Sequence, residues 1–179
     1  MRHLIDRVLE LSEEEQVKIT PSDIPPGQGN EEELKALLES LQPRIRVYGA
    51  GGAGCNAVSR LAEEGLFDSS YVTGYAINTD AQALLMSPLE EKVLIGRTAR
   101  GRGAGGDPTK GEAAALESEM VLRRITNDTQ LAIITAGMGG GSGTGAAGHI
   151  ARLAKQQGAM TIAVAVSYTH LTLPTNSNV

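Results

Sequence analysis

The sequence predicts an α/β fold: a Rossmann-like, mostly parallel sheet with helices on both faces. Three observations predict it. From Arg44 onward, short aliphatic runs alternate with segments of helical periodicity. Each main glycine-rich stretch directly follows one of those runs. The chain is 41% hydrophobic but only 3% aromatic, with no Trp and one Phe, so its core must be built from Ala, Val, Ile and Leu. Such a core suits parallel strands buried on both faces.

The elements follow in order. Residues 1–16 read as a short amphipathic helix carrying Leu4, Val8 and Leu11, and 20–29 (TPSDIPPGQG) as a breaker-rich linker. Asn30 to Glu33 resembles a capping box opening a helix with Leu34, Leu37, Leu38 and Leu41 at helical spacing. Residues 1–43 are thus expected to form a helical arm and linker, packed loosely at the domain edge, with a partner-binding helix as the alternative. Ile45 to Tyr48 is the first strand, running into Gly49–Gly54 and then a helix to about Glu64, with Gly65 at the C′ position. Tyr71 to Ile77 is the second strand, ending in Asn78-Thr79-Asp80, with a short helix over Ala81–Met86. Lys92 to Ile95 is the third strand, followed by a long glycine-rich loop to Pro108, which suits the first position of a helix reaching about Ile125. Leu131 to Thr135 is the fourth strand, entering Gly137–Gly145. A helix from about Thr144 to Gln157 precedes a fifth strand beginning at Met160.

Alternation of this kind implies right-handed crossovers, and ligands of such sheets sit at the carboxyl ends of the strands. The glycine loops all fall on that edge, which points to one shared anion site.

Charge and composition exclude several functions. The net charge is −5, and no Lys/Arg cluster stands out on a predicted helix, so nucleic acid and acidic membrane surfaces are not expected partners. The single cysteine, Cys55, permits no intrachain disulfide and fits a reducing cytoplasm. No apolar stretch is long enough to span a membrane, and Met1 opens no signal peptide.

The first loop, Gly49-Ala50-Gly51-Gly52-Ala53-Gly54, satisfies G-x-G-x-x-G between strand and helix. Backbone N–H groups at such a helix start can receive a phosphate, and absent side chains let it approach. A dinucleotide-binding protein would use the same pattern, and a tight turn without ligand is the bland alternative. The last loop, Gly137-Met138-Gly139-Gly140-Gly141-Ser142-Gly143-Thr144-Gly145, spends more backbone entropy than a connector needs. With hydroxyls from Ser142 and Thr144 at a helix start, it reads as a second anion cradle. Valine at Gly143 is expected to weaken phosphate binding by occupying the anion's approach.

Gly139 to Gly145 is similar to the GGGTGTG signature of the tubulin/FtsZ family, with Ser142 where Thr is common. Gly49 to Val58 resembles that family's first phosphate loop, Asn78 to Leu84 its second, and Gly101 to Pro108 its third, with Asp107 where Asn is frequent. The resemblance spans about Arg44 to Val164, and the acidic N-terminal helix looks more like archaeal members.

The resemblance implies a GTP- and GDP-binding cell-division protein of the FtsZ type, cytoplasmic and gathered at midcell, that polymerises head to tail with itself and meets other division proteins. Gly51, Gly52, Ala53, Gly54, Cys55 and Asn56 would cradle phosphates and the sugar side of the nucleotide. Gly139, Gly140, Gly141, Ser142, Gly143, Thr144 and Gly145 would wrap the α- and β-phosphates. Ala104, Gly105 and Gly106 would approach the γ-phosphate, and Asn78 and Asp80 would lie beside the phosphates and any Mg²⁺. No G-x-x-x-x-G-K-[ST] motif occurs, so binding would rest on amides and helix dipoles.

Several residues have blander readings. Asp80 could end its strand in an Asx turn. Cys55 could fill a loop, having no base beside it. Gly148-His149 stands where the family often has Pro-Val, a departure expected to loosen the helix start. Arg100, Arg102, Arg123 and Arg124 read as solvated charges.

The family's guanine-holding and catalytic residues lie later in its chains, so no catalytic residue is expected here. The nucleotide-binding domain is taken as 44–165, a truncated form of the family's domain. Residues 166–179 resemble a translated sequencing adapter and are set aside as a non-native tail. Truncation would leave apolar surface exposed. Two alternatives compete: a nucleotide-binding filament module without turnover, and an NAD-binding oxidoreductase. The second expects an acid at the tip of the second strand and leaves Gly139–Gly145 unexplained.

Overall fold

The computed structural model describes residues 34, 35, 37, 38 and 41–167. The expected helix over 1–16, the linker over 20–29, the Asn30 cap and the stretch from 168 onward lie outside the described residues. The chain divides into two compact units, Met1–Gln42 and Pro43–Val179. In the first, the described residues Leu34, Lys35, Leu37, Leu38 and Leu41 are helical, as their spacing predicts.

The second unit is built on five parallel strands in the order β3-β2-β1-β4-β5. They are β1 (Ile45–Ala50), β2 (Val72–Asn78), β3 (Glu91–Leu94), β4 (Leu131–Gly137) and β5 (Met160–Val166). The helices are α1 (Gly51–Glu63), α2 (Ala81–Met86), α3 (Pro108–Glu117), α4 (Glu119–Thr126) and α5 (Gly141–Gln156). The expected α/β sheet is the observed fold.

Alternation along the strands sends successive side chains to opposite faces. Tyr48, Ala50, Tyr75, Ile77, Ile134 and Ala136 join one buried cluster with Ala114 and Ala115 of α3, Leu122 and Ile125 of α4, and Ile150 and Leu153 of α5. Val47 and Ala76 point the other way, into a smaller cluster with Cys55 and Val58 of α1 and Leu84 of α2. Each fully buried Ile or Leu contributes roughly 1.5–3 kcal/mol relative to exposure. Together the two clusters fix helices on both faces. The β5 strand is more open: Met160, Ile162, Val164 and Val166 all remain exposed.

Register makes the strand ends level at the site. Ala50 lies beside Ile77 of β2 and Ala136 of β4. The loops after β1, β2 and β4 therefore leave the sheet on one line.

Four local details depart from expectation. The helices α1 and α5 begin inside their glycine loops, at Gly51 and Gly141. The long helix after Pro108 is two helices, interrupted at Ser118, whose Oγ accepts a hydrogen bond from the Gly96 backbone at 2.9 Å. Val166 belongs to β5, pairing with Gly137, and its carbonyl accepts from the Met138 N–H. Val166, set aside above, is thus part of the sheet. Finally, α5 runs unbroken through Gly148 and His149. Gly148 and His149 therefore lie within a continuous helix rather than at a broken start, and a Cβ at Gly148 would meet nothing.

Candidate functional site

Among the described residues, two helices start at the C-terminal edge of the sheet with no side chain capping them. α1 follows Ala50 and α5 follows Gly140, and neither has a side-chain hydrogen bond at its N-cap. The first N–H groups of a helix have no partner within it, so bare ends of this kind leave donors and a positive dipole end to be met from outside. Between them lies a cleft of about 320 Å³ lined by residues that include Gly52, Ala53, Gly139, Gly140, Gly141 and Ser142.

Glycine serves two separate purposes here. Gly51 and Gly143 are where the first and last loops touch: a Cβ on Gly51 would lie 2.5 Å from Gly143 N, and Gly51 has a φ of +69°. A Cβ on Gly54 would meet Thr135 O, and one on Gly145 would meet Pro108 O. These positions let backbone pack on backbone. At Gly52 and Gly140, by contrast, a Cβ would meet nothing within 4 Å, and Gly140 has an ordinary φ of −111°. Neither packing nor conformation demands glycine at Gly140. The space beside it belongs to the cleft.

Gly143 falls in the first group, which corrects the expected effect of valine there. Its Cβ would point at Ala50 O, 2.9 Å away, and Gly137 O, 3.1 Å away, and so into the loop packing. Valine would disrupt the fold of the two loops before it met an anion.

The hydroxyls also differ from expectation. Ser142 Oγ lies 2.6 Å from Thr79 Oγ1, and Thr144 Oγ1 donates to Gly137 O at 3.5 Å. Ser142 thus ties the loop to the turn after β2, while the long Thr144 contact stays within its own loop. Thr79, fully buried, is the residue that sequence reasoning passed over between Asn78 and Asp80.

Asn78 is buried, and its Oδ1 accepts from the N–H groups of Thr79 and Asp80. Asp80 is the N-cap of α2, accepting from Gln82 N at 2.9 Å and Ala83 N at 3.2 Å through Oδ1. The third loop is sewn to this turn, since Gly103 N donates to Thr79 O and Ala81 N to Gly101 O. Ala104 is buried, and it and Asp107 meet the start of α5: a Cβ on Gly141 would lie 2.8 Å from Ala104 Cβ and from Asp107 N. Gly105 and Gly106 are exposed in left-handed conformations, φ +61° and +79°. Asp107 caps α3 by accepting from Thr109 N, and hydrogen bonds from Thr109 hold its carboxyl below the usual range. All four loops therefore meet around the bare end of α5 or the turn beside it.

Two of the expected residues face elsewhere. The Cys55 thiol is buried against Gly49 O and Ile77 O, and burial pushes it up to about 11. Asn56 is exposed and lines a different cleft, of about 350 Å³, with Ser59 and Arg60. His149 is buried on α5, 3.7 Å from Glu119 Oε2, and among the described residues its Nε2 has no hydrogen bond. It stands away from the cleft.

A model of the Tubulin/FtsZ family, GTPase domain, matches residues 44–173. The chain belongs to the tubulin/FtsZ family. It is 42% identical over 165 residues to "Cell division protein FtsZ 1" of Pyrococcus horikoshii, covering 92% of this chain and 43% of that protein. The protein of the same name from Pyrococcus abyssi is 45% identical over 166 residues, with the same coverage. A solved structure of an empty FtsZ dimer from M. jannaschii superposes with a TM-score of 0.69 at 40% identity, over 82% of this chain and 40% of that one. These relatives are archaeal, in keeping with the likeness seen in the sequence. The chain spans under half the length of the relatives it matches.

Proposed function

We propose that this chain binds the phosphates of a guanine nucleotide, GTP or GDP, as part of an FtsZ-type cell-division protein. The observation that carries the reading is the pair of uncapped helices, α1 and α5, opening onto one cleft beside glycines that no internal contact requires. Phosphate needs N–H donors, a positive dipole end and close approach, and this cleft supplies all three without a lysine. Guanine as the base follows from the family and not from the cleft.

On this reading Gly51 to Gly54 form one wall and Gly139 to Gly145 the other, chiefly through backbone N–H groups. Ala104 to Gly106 form the lip toward the terminal phosphate. Among the described residues no three His, Cys, Asp or Glu side chains cluster as a metal cage. A Mg²⁺ ion would accordingly take most ligands from phosphate and water, its usual habit, with Asp80 the carboxylate offered by the second loop. Mg²⁺ there would neutralise phosphate charge.

A protein of the relatives' full length would hydrolyse GTP at a site shared between adjacent subunits, in head-to-tail filaments at midcell in the cytoplasm, with other division proteins as partners. Among the described residues no helix is long and apolar enough to cross a membrane.

Titration of this chain with GTP, GDP and NAD tests the reading. Guanine nucleotides should bind and NAD should not; preference for NAD would sink it. In a full-length version, hydrolysis per subunit should rise with protein concentration. A rate independent of concentration would argue against a shared site.

A further inference from the structure

The second and fourth loops meet through a pair of hydroxyls, either of which can donate, and burial is the ground for choosing between them. Thr79 Oγ1 and Ser142 Oγ lie 2.6 Å apart, joining the turn after β2 to the first turn of α5. Thr79 is fully buried, and among the described residues Ser142 is the one hydrogen-bond partner of its hydroxyl. A buried O–H left without an acceptor incurs its full desolvation cost. The acceptor within reach is Ser142 Oγ. A hydroxyl has one proton and two acceptor lone pairs, so Ser142 can accept from Thr79 and still hold its own proton free. Ser142 is only half-buried and lines the cleft between α1 and α5.

We propose that Thr79 is a positioning residue for the anion site: it donates to Ser142 Oγ and so turns the Ser142 O–H toward a phosphate oxygen in the cleft. The proposal rests on the reading of that cleft as a phosphate site. Accepting one hydrogen bond makes Ser142 a stronger donor in the next. Thr79 is itself held on both sides, its N–H donating to Asn78 Oδ1 and its carbonyl accepting from Gly103 N. Thr144 supplies the contrast: its hydroxyl makes only a long contact, 3.5 Å to Gly137 O, and no contact with Thr79 is seen among the described residues.

The test compares this chain with its Thr79→Val, Thr79→Ser, Ser142→Ala and doubly substituted Thr79→Val/Ser142→Ala forms. Each is titrated calorimetrically with GDP and with inorganic pyrophosphate, and thermal unfolding without ligand is followed alongside. Thr79→Val should weaken binding about tenfold, the scale of one hydrogen bond to a charged group. Ser142→Ala should do the same, and the double form should lose no more than either single one. Thr79→Ser, which keeps the hydroxyl, should bind within about twofold of the parent. Additive losses in the double form, or full affinity in Thr79→Val, would overturn the relay and leave the cleft reading standing. If the parent chain binds neither probe, the cleft reading falls and the relay falls with it.

Discussion

Four helices begin near the C-terminal edge of the sheet, and they begin in two different ways. α2 and α3 start under an aspartate, Asp80 or Asp107, whose carboxylate accepts from first-turn N–H groups. α1 and α5 start after Ala50 and Gly140 with no side chain at all. A capped end has one or two of its donors satisfied by the cap, which contributes about 1 kcal/mol. An uncapped end forgoes that stability and keeps its donors for something else. The two bare ends face each other across one cleft, while the two capped ends support the loops around it. Stability and binding are thus assigned to different helix termini of a single sheet edge.

Breaking the contact between the bare ends should have the largest effect. Gly51→Val places a side chain at a φ of +69° and drives its Cβ into Gly143 N. It should cost about 3 kcal/mol or more, read as a lower urea midpoint, and abolish nucleotide binding. Filling the open space should separate the two properties. Gly140→Ala should leave the unfolding free energy within about 0.5 kcal/mol and weaken pyrophosphate binding about tenfold. A stable variant with undiminished affinity would remove Gly140 from the site.

The capped ends should respond in the opposite sense. Asp80→Ala should lose about 1 kcal/mol of stability, and Asp80→Asn should keep it, because an amide oxygen can also cap. If the charge of Asp80 serves Mg²⁺, the Asn variant should bind GTP more weakly with Mg²⁺ present and normally in its absence. Equal binding in both conditions would leave Asp80 a cap alone.

The smallest effect belongs to α5 away from its bare end. Burial lowers the His149 pKa from 6.5, outweighing the attraction of Glu119 on α4, while Arg152 on the same helix pushes it down further. Glu112 of α3 favours the charged form and Arg123 of α4 opposes it. The unfolded chain therefore takes up a proton first as pH falls below 6.5, so stability is full above that value and declines below it. His149→Leu should flatten that part of the pH profile of thermal unfolding.

Much of the fold was legible because aliphatic runs and breakers mark strands directly. All five strands fall where the sequence predicts, and so does Pro108 at a helix start. What escaped was set by contacts distant in sequence. Ser118 divides a helix because its hydroxyl serves the Gly96 backbone, 22 residues earlier. Thr79 matters through Ser142, 63 residues later. The glycine run of the last loop revealed a cradle, but not which glycines pack and which stand open. That distinction depends on where a missing Cβ would point, and a pattern of letters carries no direction.

Cys55 gives the first of these helices a built-in clock. It is the chain's one cysteine, and its thiol is buried beneath α1 with a pKa pushed up to about 11. At neutral pH almost none of it is thiolate, and alkylating reagents react with thiolate. Labelling should therefore be slow in the folded chain and faster when α1 lifts from the sheet, so the alkylation rate should report opening of that end of the cleft. A nucleotide held by the α1 end should slow the clock by mass action, which reports occupancy without a fluorophore or a radiolabel.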